Sequence, residues 1–378
     1  MIALNVPYLQ GNEKKYLIDV IESGWLARGK YTEAFEQAFC AKISHTKYGV
    51  AVTSGTVAVH VALRSVGLFA DEYGQEAPKV AVPSYTCMSV PAGIRHAGCA
   101  PIFIEVESET FGMDIESVER MYKKTHFVGL VLVHNYGFMA RDTIKIVEFC
   151  KKNRIKLIED ASEAHGAELN GKRAGEFGDV AAFSVRSEKM IGVGEGGIVV
   201  TNSKEYHDNA YYWVNDARPS NKIRYYVTAA GWNFHMANAL GAIGLAQVEQ
   251  FDEIVRRKRQ VGEWYASKID TLEGYLRPMK KAKGSKAVYW LNVFYVDETK
   301  GLNRDDLMTV LESKGIETRP GFYPLHLLPP YRKDEADKCV MTQIIGRDVI
   351  ALPSNPYMTE ADVDGILTEI IKVIYGKG

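Results

Sequence analysis

Lys189 stands five residues after Ser184 in the stretch Ser187-Glu188-Lys189-Met190-Ile191-Gly192-Val193-Gly194-Glu195-Gly196-Gly197. A lysine in a glycine-rich bend is held by backbone rather than packed on a helix face. Partly withdrawn from water, such an amine becomes a nucleophile toward carbonyls. On residue type alone a solvated lysine is the commoner reading. Three further features bear on it. Thr53-Ser54-Gly55-Thr56 lies between a strand-like and a helix-like run, and amides at a helix N-terminus bind phosphate. Asp160 ends a strand, where an acid pairs with a protonated ring nitrogen. Ser184 ends another strand and offers a hydroxyl. A phosphate cradle, an acid and a lysine are the requirements of pyridoxal 5'-phosphate.

The glycines invite a different reading. Gly192-Val193-Gly194-Glu195-Gly196-Gly197 satisfies G-x-G-x-x-G, the spacing of dinucleotide-binding loops. Such a loop needs a strand just before it and a helix opening on its last glycine. Here Val180 to Val185 ends too early, and Ile198-Val199-Val200-Thr201 is a β-branched strand. The pattern fails its context.

The elements that position these residues alternate along the chain. Strands are expected at 48–52, 79–82, 100–106, 128–133, 155–160, 180–185 and 198–202, with helices after residue 56 and over 143–153. This rhythm predicts an α/β domain with a mostly parallel sheet, whose ligands lie at the carboxyl ends of the strands. Residues 239–269 read as one long helix. A strand over 287–296, a helix capped by Asn303 and a strand near Ile316 follow as a smaller α+β unit. The boundary on the long helix divides the chain into a cofactor-binding domain, 1–245, and a small domain, 246–378.

Composition excludes some partners. The 378 residues carry 46 basic and 47 acidic side chains, a net charge of -1. That balance asks for neither nucleic acid nor membrane. The basic run from Lys280 to Lys286 reads as a solvated loop. Five cysteines without a C-x-x-C spacing point away from a disulfide framework and from zinc, so no metal site is expected. The first residues lack the pattern of a secretory signal, and a cytoplasmic location is expected.

Several segments together resemble the DegT/DnrJ/EryC1/StrS family of sugar aminotransferases over nearly the whole chain. They are SGTVAVHVAL (54–63), VPSYT (82–86), IEDASEAHGA (158–167), GEFGDVAAFSV (175–185), EKMIGVGEGGIVVTN (188–202), the 231–259 segment and ETRPGFYPLHLLPPY (317–331). The resemblance implies the pyridoxal-phosphate fold type I, that of aspartate aminotransferase. It implies that Lys189 binds the cofactor covalently and, once released, shuttles protons. Asp160 then pairs with the pyridine nitrogen, and Gly55, Thr56 and Ser184 hold the phosphate. Glu163 lies near the ring hydroxyl, where many relatives carry Gln. Asn233 reaches a phosphate across the interface of a homodimer. Read singly, the commoner readings are Asp160 as an N-cap acid, Ser184 as a strand-end hydroxyl and Asn233 as a turn residue.

Two departures stand out. Cys87 occupies the place of an aromatic residue that stacks on the cofactor, with Tyr85 as a possible substitute. Arg186-Ser187-Glu188 replaces an aromatic, a small residue and Asn.

The segments NFHMANALGAIGLAQ (233–247) and ETRPGFYPLH (317–326) are most similar to the perosamine-forming branch of the family. That implies amino transfer from L-glutamate to C4 of a nucleotide-linked 4-keto-6-deoxy sugar. Tyr323, His326, Trp25 and Arg319 become candidates for substrate contact, with Arg28 and Lys30 as further candidates for its phosphates. The alternatives are amination at C3 or on a UDP- or dTDP-linked sugar, a dehydratase of the same fold, and a non-catalytic protein on this scaffold. Dehydratases typically place His where this chain has Lys189.

Overall fold

The computed structural model describes residues 1–70, 76–219 and 223–376. Among the described residues the largest sheet has seven strands. Its order is Tyr48–Val52, Gly197–Thr201, Val180–Ser184, Lys156–Asp160, Gly129–Val133, Lys79–Pro83 and Ala100–Ile104. Gly197–Thr201 runs antiparallel to both neighbours, and the other pairs are parallel. Each strand is short and apolar, as a sheet covered on both faces requires. Val50 and Val52 pack on one face and Ala51 on the other. Val180 and Ala182 likewise face away from Ala181 and Phe183.

Register decides what meets at the carboxyl ends. Val133 is level with Asp160, and Asp160 with Ala182. Gly197 lies opposite both Val52 and Ser184. The acid, the hydroxyl, the first glycine of the returning strand and the turn into helix Gly55–Ser65 therefore share one edge.

The expected long helix is two helices, Asn238–Glu249 and Phe251–Lys268. Gln250 leaves helical backbone with φ -95° and ψ 5°. Asp252 and Glu253 then sit in the first turn of the second helix, where acids oppose its dipole. The expected 287–296 strand is also shorter. Tyr289 takes a left-handed φ of 50°, which ends regular pairing. Ser285–Lys286 joins a separate small sheet with Glu168–Leu169 and Lys172–Arg173, and only Asn292–Val296 continues as strand. The latter belongs to a four-stranded sheet ordered Leu276–Pro278, Asn292–Val296, Val349–Leu352 and Arg319–Pro320. Helix Arg304–Ser313 is capped as expected, with the Asn303 side chain accepting from the amides of Asp305 and Asp306.

Glu159, beside Asp160, is fully buried and explains why the strand ends in two acids. Its Oε1 accepts from Gly175 N at 2.9 Å and its Oε2 from Phe177 N at 2.7 Å and Gly178 N at 2.9 Å. His134 Nε2 lies 3.1 Å from Oε1. Ala140 N donates to His134 Nδ1, so Nε2 carries the proton given to Glu159. The carboxylate thus locks the 175–178 loop to the strand that carries Asp160. Glu159→Gln turns an NH2 toward donors that need an acceptor. We expect a loss of roughly 3 kcal/mol, read by urea denaturation of the variant against the parental chain.

Candidate active site

The strand ends enclose a cleft of about 220 Å³ lined by Ser54, Gly55, Thr56, Cys87, Asp160, Glu163, Ser184 and Lys189, among others. Its back wall is the start of helix Gly55–Ser65. Ser54 caps that helix by accepting from Val57 N at 3.2 Å. The amides of Gly55 and Thr56 belong to the first turn, which has no acceptor within its own helix. They make an anion cradle. A Cβ on Gly55 would lie 2.7 Å from Ser184 Cβ, so glycine lets the helix start close against the serine.

The glycine run acts on the same cradle. A Cβ on Gly197 would sit 2.4 Å from the Ser54 carbonyl oxygen. Gly194 has a φ of 108°, which side chains rarely adopt. The lysine loop folds back through these residues and lies against the cap of helix Gly55–Ser65.

Asp160 is buried, and Ser162 N donates to its Oδ1 at 3.0 Å. Burial pushes its carboxyl above the ordinary range, opposed by Ser162 and by the charge of Lys189. Glu163 is also buried and also raised by burial, with Lys189 and the Tyr136 amide opposing. Lys189 Nζ lies 3.2 Å from Glu163 Oε1, and Tyr136 N donates to Oε2 at 2.8 Å. The ammonium also lies 3.8 Å from the centre of the Trp290 ring. At the cleft's lip Arg186 pairs with Glu195 at 3.1 Å and Glu188 at 3.4 Å.

The cleft thus brings together Gly55, Thr56, Cys87, Asp160, Glu163, Ser184 and Lys189. The remaining expected residues lie outside its lining. Asn233 is exposed and forms a bridge with Asn215. Trp25 and Tyr323 are exposed, and Arg319 lies 3.6 Å from Glu317. His326 Nδ1 meets Ser84 Oγ at 2.7 Å. Arg28 is held by Glu33 and Glu36, and Lys30 by Asp19.

Tyr85 does not take the place of the ring-stacking aromatic. It is fully buried against Phe111, Tyr136 and Phe322, and its hydroxyl bonds Tyr136 and the Phe322 amide. Sequence reasoning missed Ser162, His134 and Trp290. The first two stand in or beside recognised strand ends. Trp290 lies 101 residues from Lys189, and no local pattern links them.

The donor set fits pyridoxal phosphate. A buried acid, lifted by its own burial, is stabilised by a cationic ring nitrogen. A first-turn cradle beside a serine suits a phosphate, and a nearly buried amine suits a carbonyl. With its mostly parallel sheet, this is the arrangement expected of a pyridoxal-phosphate-dependent enzyme of fold type I.

The comparisons narrow the class. The model of the DegT/DnrJ/EryC1/StrS aminotransferase family matches residues 7–371, and the chain belongs to that family. It is 37% identical to the GDP-perosamine synthase of Vibrio cholerae over 369 residues, 97% of each chain. It is 35% identical to that of Escherichia coli O157:H7 over 359 residues, 94% of each. A solved GDP-4-keto-6-deoxymannose-3-dehydratase with a trapped PLP-glutamate geminal diamine superposes with a TM-score of 0.87 at 20% identity. It covers 98% of this chain and 100% of its own, and that likeness carries the fold.

Two predictions follow from the geometry. Gly197→Ala drives a methyl into the Ser54 carbonyl and displaces the cap. Cofactor affinity should fall roughly tenfold, about 1.4 kcal/mol, as read by titrating the variant with pyridoxal phosphate. The second concerns His165, buried between Phe39 and Phe183. Burial, helped by the charge of Lys189, lowers its pKa to about 3. Unfolded, it titrates near 6.5. Above pH 6.5 both states are neutral and it contributes nothing to pH dependence. As pH falls from about 6.5 toward 3, only the unfolded state takes the proton. Stability should then drop by about 1.4 kcal/mol per pH unit. His165→Phe should flatten the stability–pH curve by one proton in that window, measured by urea denaturation.

Proposed function

We propose that this chain moves the amino group of L-glutamate to C4 of a GDP-linked 4-keto-6-deoxy-hexose, yielding GDP-perosamine and 2-oxoglutarate. The observation that carries the reading is near-full-length similarity to three GDP-perosamine synthases, at 31–37% identity. The intact Lys189–Asp160 pair in one cleft supports it. We further propose that the protein is a homodimer, that Asn233 serves the partner's phosphate, and that the chain divides near residue 245. Trp25, Arg319, Tyr323 and His326 are proposed to meet the sugar nucleotide.

Bound, pyridoxal phosphate supplies an electron sink that makes the carbon beside the amino nitrogen acidic. The Gly55 and Thr56 amides and Ser184 would hold its phosphate, and Asp160 would keep its ring nitrogen charged. Cys87 would offer the cofactor a small, soft group. Lys189 Nζ would take the proton from the α-carbon of glutamate and pass it to the cofactor in the first half-reaction. In the second it would take a proton from the cofactor and deliver it to C4 of the sugar. Glu163 supports the ammonium between those events. A lysine serves transfer because it both binds the carbonyl and carries the proton.

The test is a panel of purified protein with glutamate and 4-keto-6-deoxy sugars on GDP, UDP and dTDP, read by mass. We expect an amino sugar on GDP. Product only from a dTDP or UDP sugar, or a deoxygenated product without nitrogen, would overturn the assignment. Lys189→Ala should abolish both transfer and the absorbance band near 400–430 nm, on the order expected for the lysine-linked cofactor, while the protein stays folded.

A further inference from the structure

We propose that Trp290 is the positioning residue of Lys189, seating its ammonium against the indole face between proton transfers. The inference rests on Lys189 as proton carrier and is independent of which sugar is aminated.

Four contacts converge on this seat. Lys189 Nζ lies 3.8 Å from the ring centre, well within cation–π range, and tryptophan offers the strongest such face. The indole N–H donates to the carbonyl of Glu188, the residue before the lysine. The indole also lies parallel to Tyr136, at 10° and 6.3 Å between ring centres. The Tyr136 amide in turn fixes Glu163, the carboxylate on the other side of the ammonium. One side chain therefore sets both the backbone before Lys189 and the surface under its charge.

The seat is itself anchored. Trp290 is 4% exposed. Its carbonyl accepts from Lys258 Nζ at 2.6 Å. Lys258 is buried and gives its other protons to Asn5 Oδ1 at 3.0 Å and to the Ser354 carbonyl. Burial drives the Lys258 ammonium well below the ordinary lysine range, and three oxygens hold its protons against that pull. Asn5 Nδ2 closes the circuit by donating to the same Glu188 carbonyl. A free lysine side chain has four rotatable bonds. Here its end is confined before substrate arrives, so a proton collected at one carbon is held within reach of the next.

The test uses protein loaded with pyridoxamine 5'-phosphate, in which the lysine is free, and lysine labelled with ¹³C at the ε-carbon. Ring current should move the Lys189 ε-protons upfield of every other lysine. Trp290→Phe should keep an upfield signal, and Trp290→Leu should lose it. In single-turnover assays with glutamate, the Leu variant should slow about tenfold with unchanged KM, and the Phe variant by less than about threefold. The α-deuterium isotope effect should grow in the Leu variant. Trp290→Met, nearer in volume, replaces Leu if that protein does not fold. A Lys189 signal unshifted in the parental protein, or a Phe variant as slow as Leu, would overturn the proposal.

Discussion

Two buried carboxylates and one nearly buried ammonium line the same cleft, and the rest of the site is arranged around that charge imbalance. Asp160 and Glu163 are both buried, both lifted by burial, and each is opposed by the same Lys189. Glu163 is lifted further by the charge of Asp160. A lone ammonium cannot serve two buried acids equally, and it lies beside Glu163. Asp160 is left with a backbone donor and an opening into the cleft. The burial that lifts the Asp160 carboxyl is what would make its pairing with a cationic ring nitrogen strong.

That volume exists because parallel strands end together. Adjacent registers put Val133, Asp160 and Ala182 in one row, and Glu159 ties the next loop to the row through three backbone amides. Much of this was legible in the sequence, because short β-branched runs bounded by turn residues repeat at regular spacing. The carboxyl-end acids and hydroxyls could be placed from those runs alone. The break at Gln250 was not, because Ala, Gln, Glu and Arg continue a helical composition across it. The corrective signal was the acid pair Asp252 and Glu253, which marks a new N-terminus. The 287–296 run reads as one strand for a similar reason. Its composition is strand-like throughout, and a single left-handed Tyr289 divides it.

The glycine run shows how a pattern can carry a real constraint under the wrong name. Its spacing suggests a loop that wraps a phosphate. In the structure Gly197 approaches the carbonyl of Ser54, and Ser54 caps the helix that offers its amides. The glycines let a strand lie against the start of that helix, without lining the cleft themselves. The seat of Lys189 could not be read in this way. Asn5, Trp290 and Lys258 converge on Glu188 and on one another from distant parts of the chain, and such contacts leave no trace in spacing.

The same convergence accounts for the unusual residues before the lysine. Position 188 turns its carbonyl inward, to Asn5 and Trp290, and its side chain toward the cleft's lip. What holds Lys189 is therefore backbone at 188, and backbone is common to every residue type. A glutamate there costs the seat nothing so long as its charge is met. Arg186 meets it, and meets Glu195 as well. Arg186 thus balances an acid on each side of the lysine. An acid with no base beside it would add uncompensated negative charge to a cleft already lined by Asp160, Glu163 and Glu195, and would raise Asp160 and Glu163 further. Paired at the half-exposed lip, the acid is screened by its arginine and by water. The lysine keeps the partners that its chemistry requires.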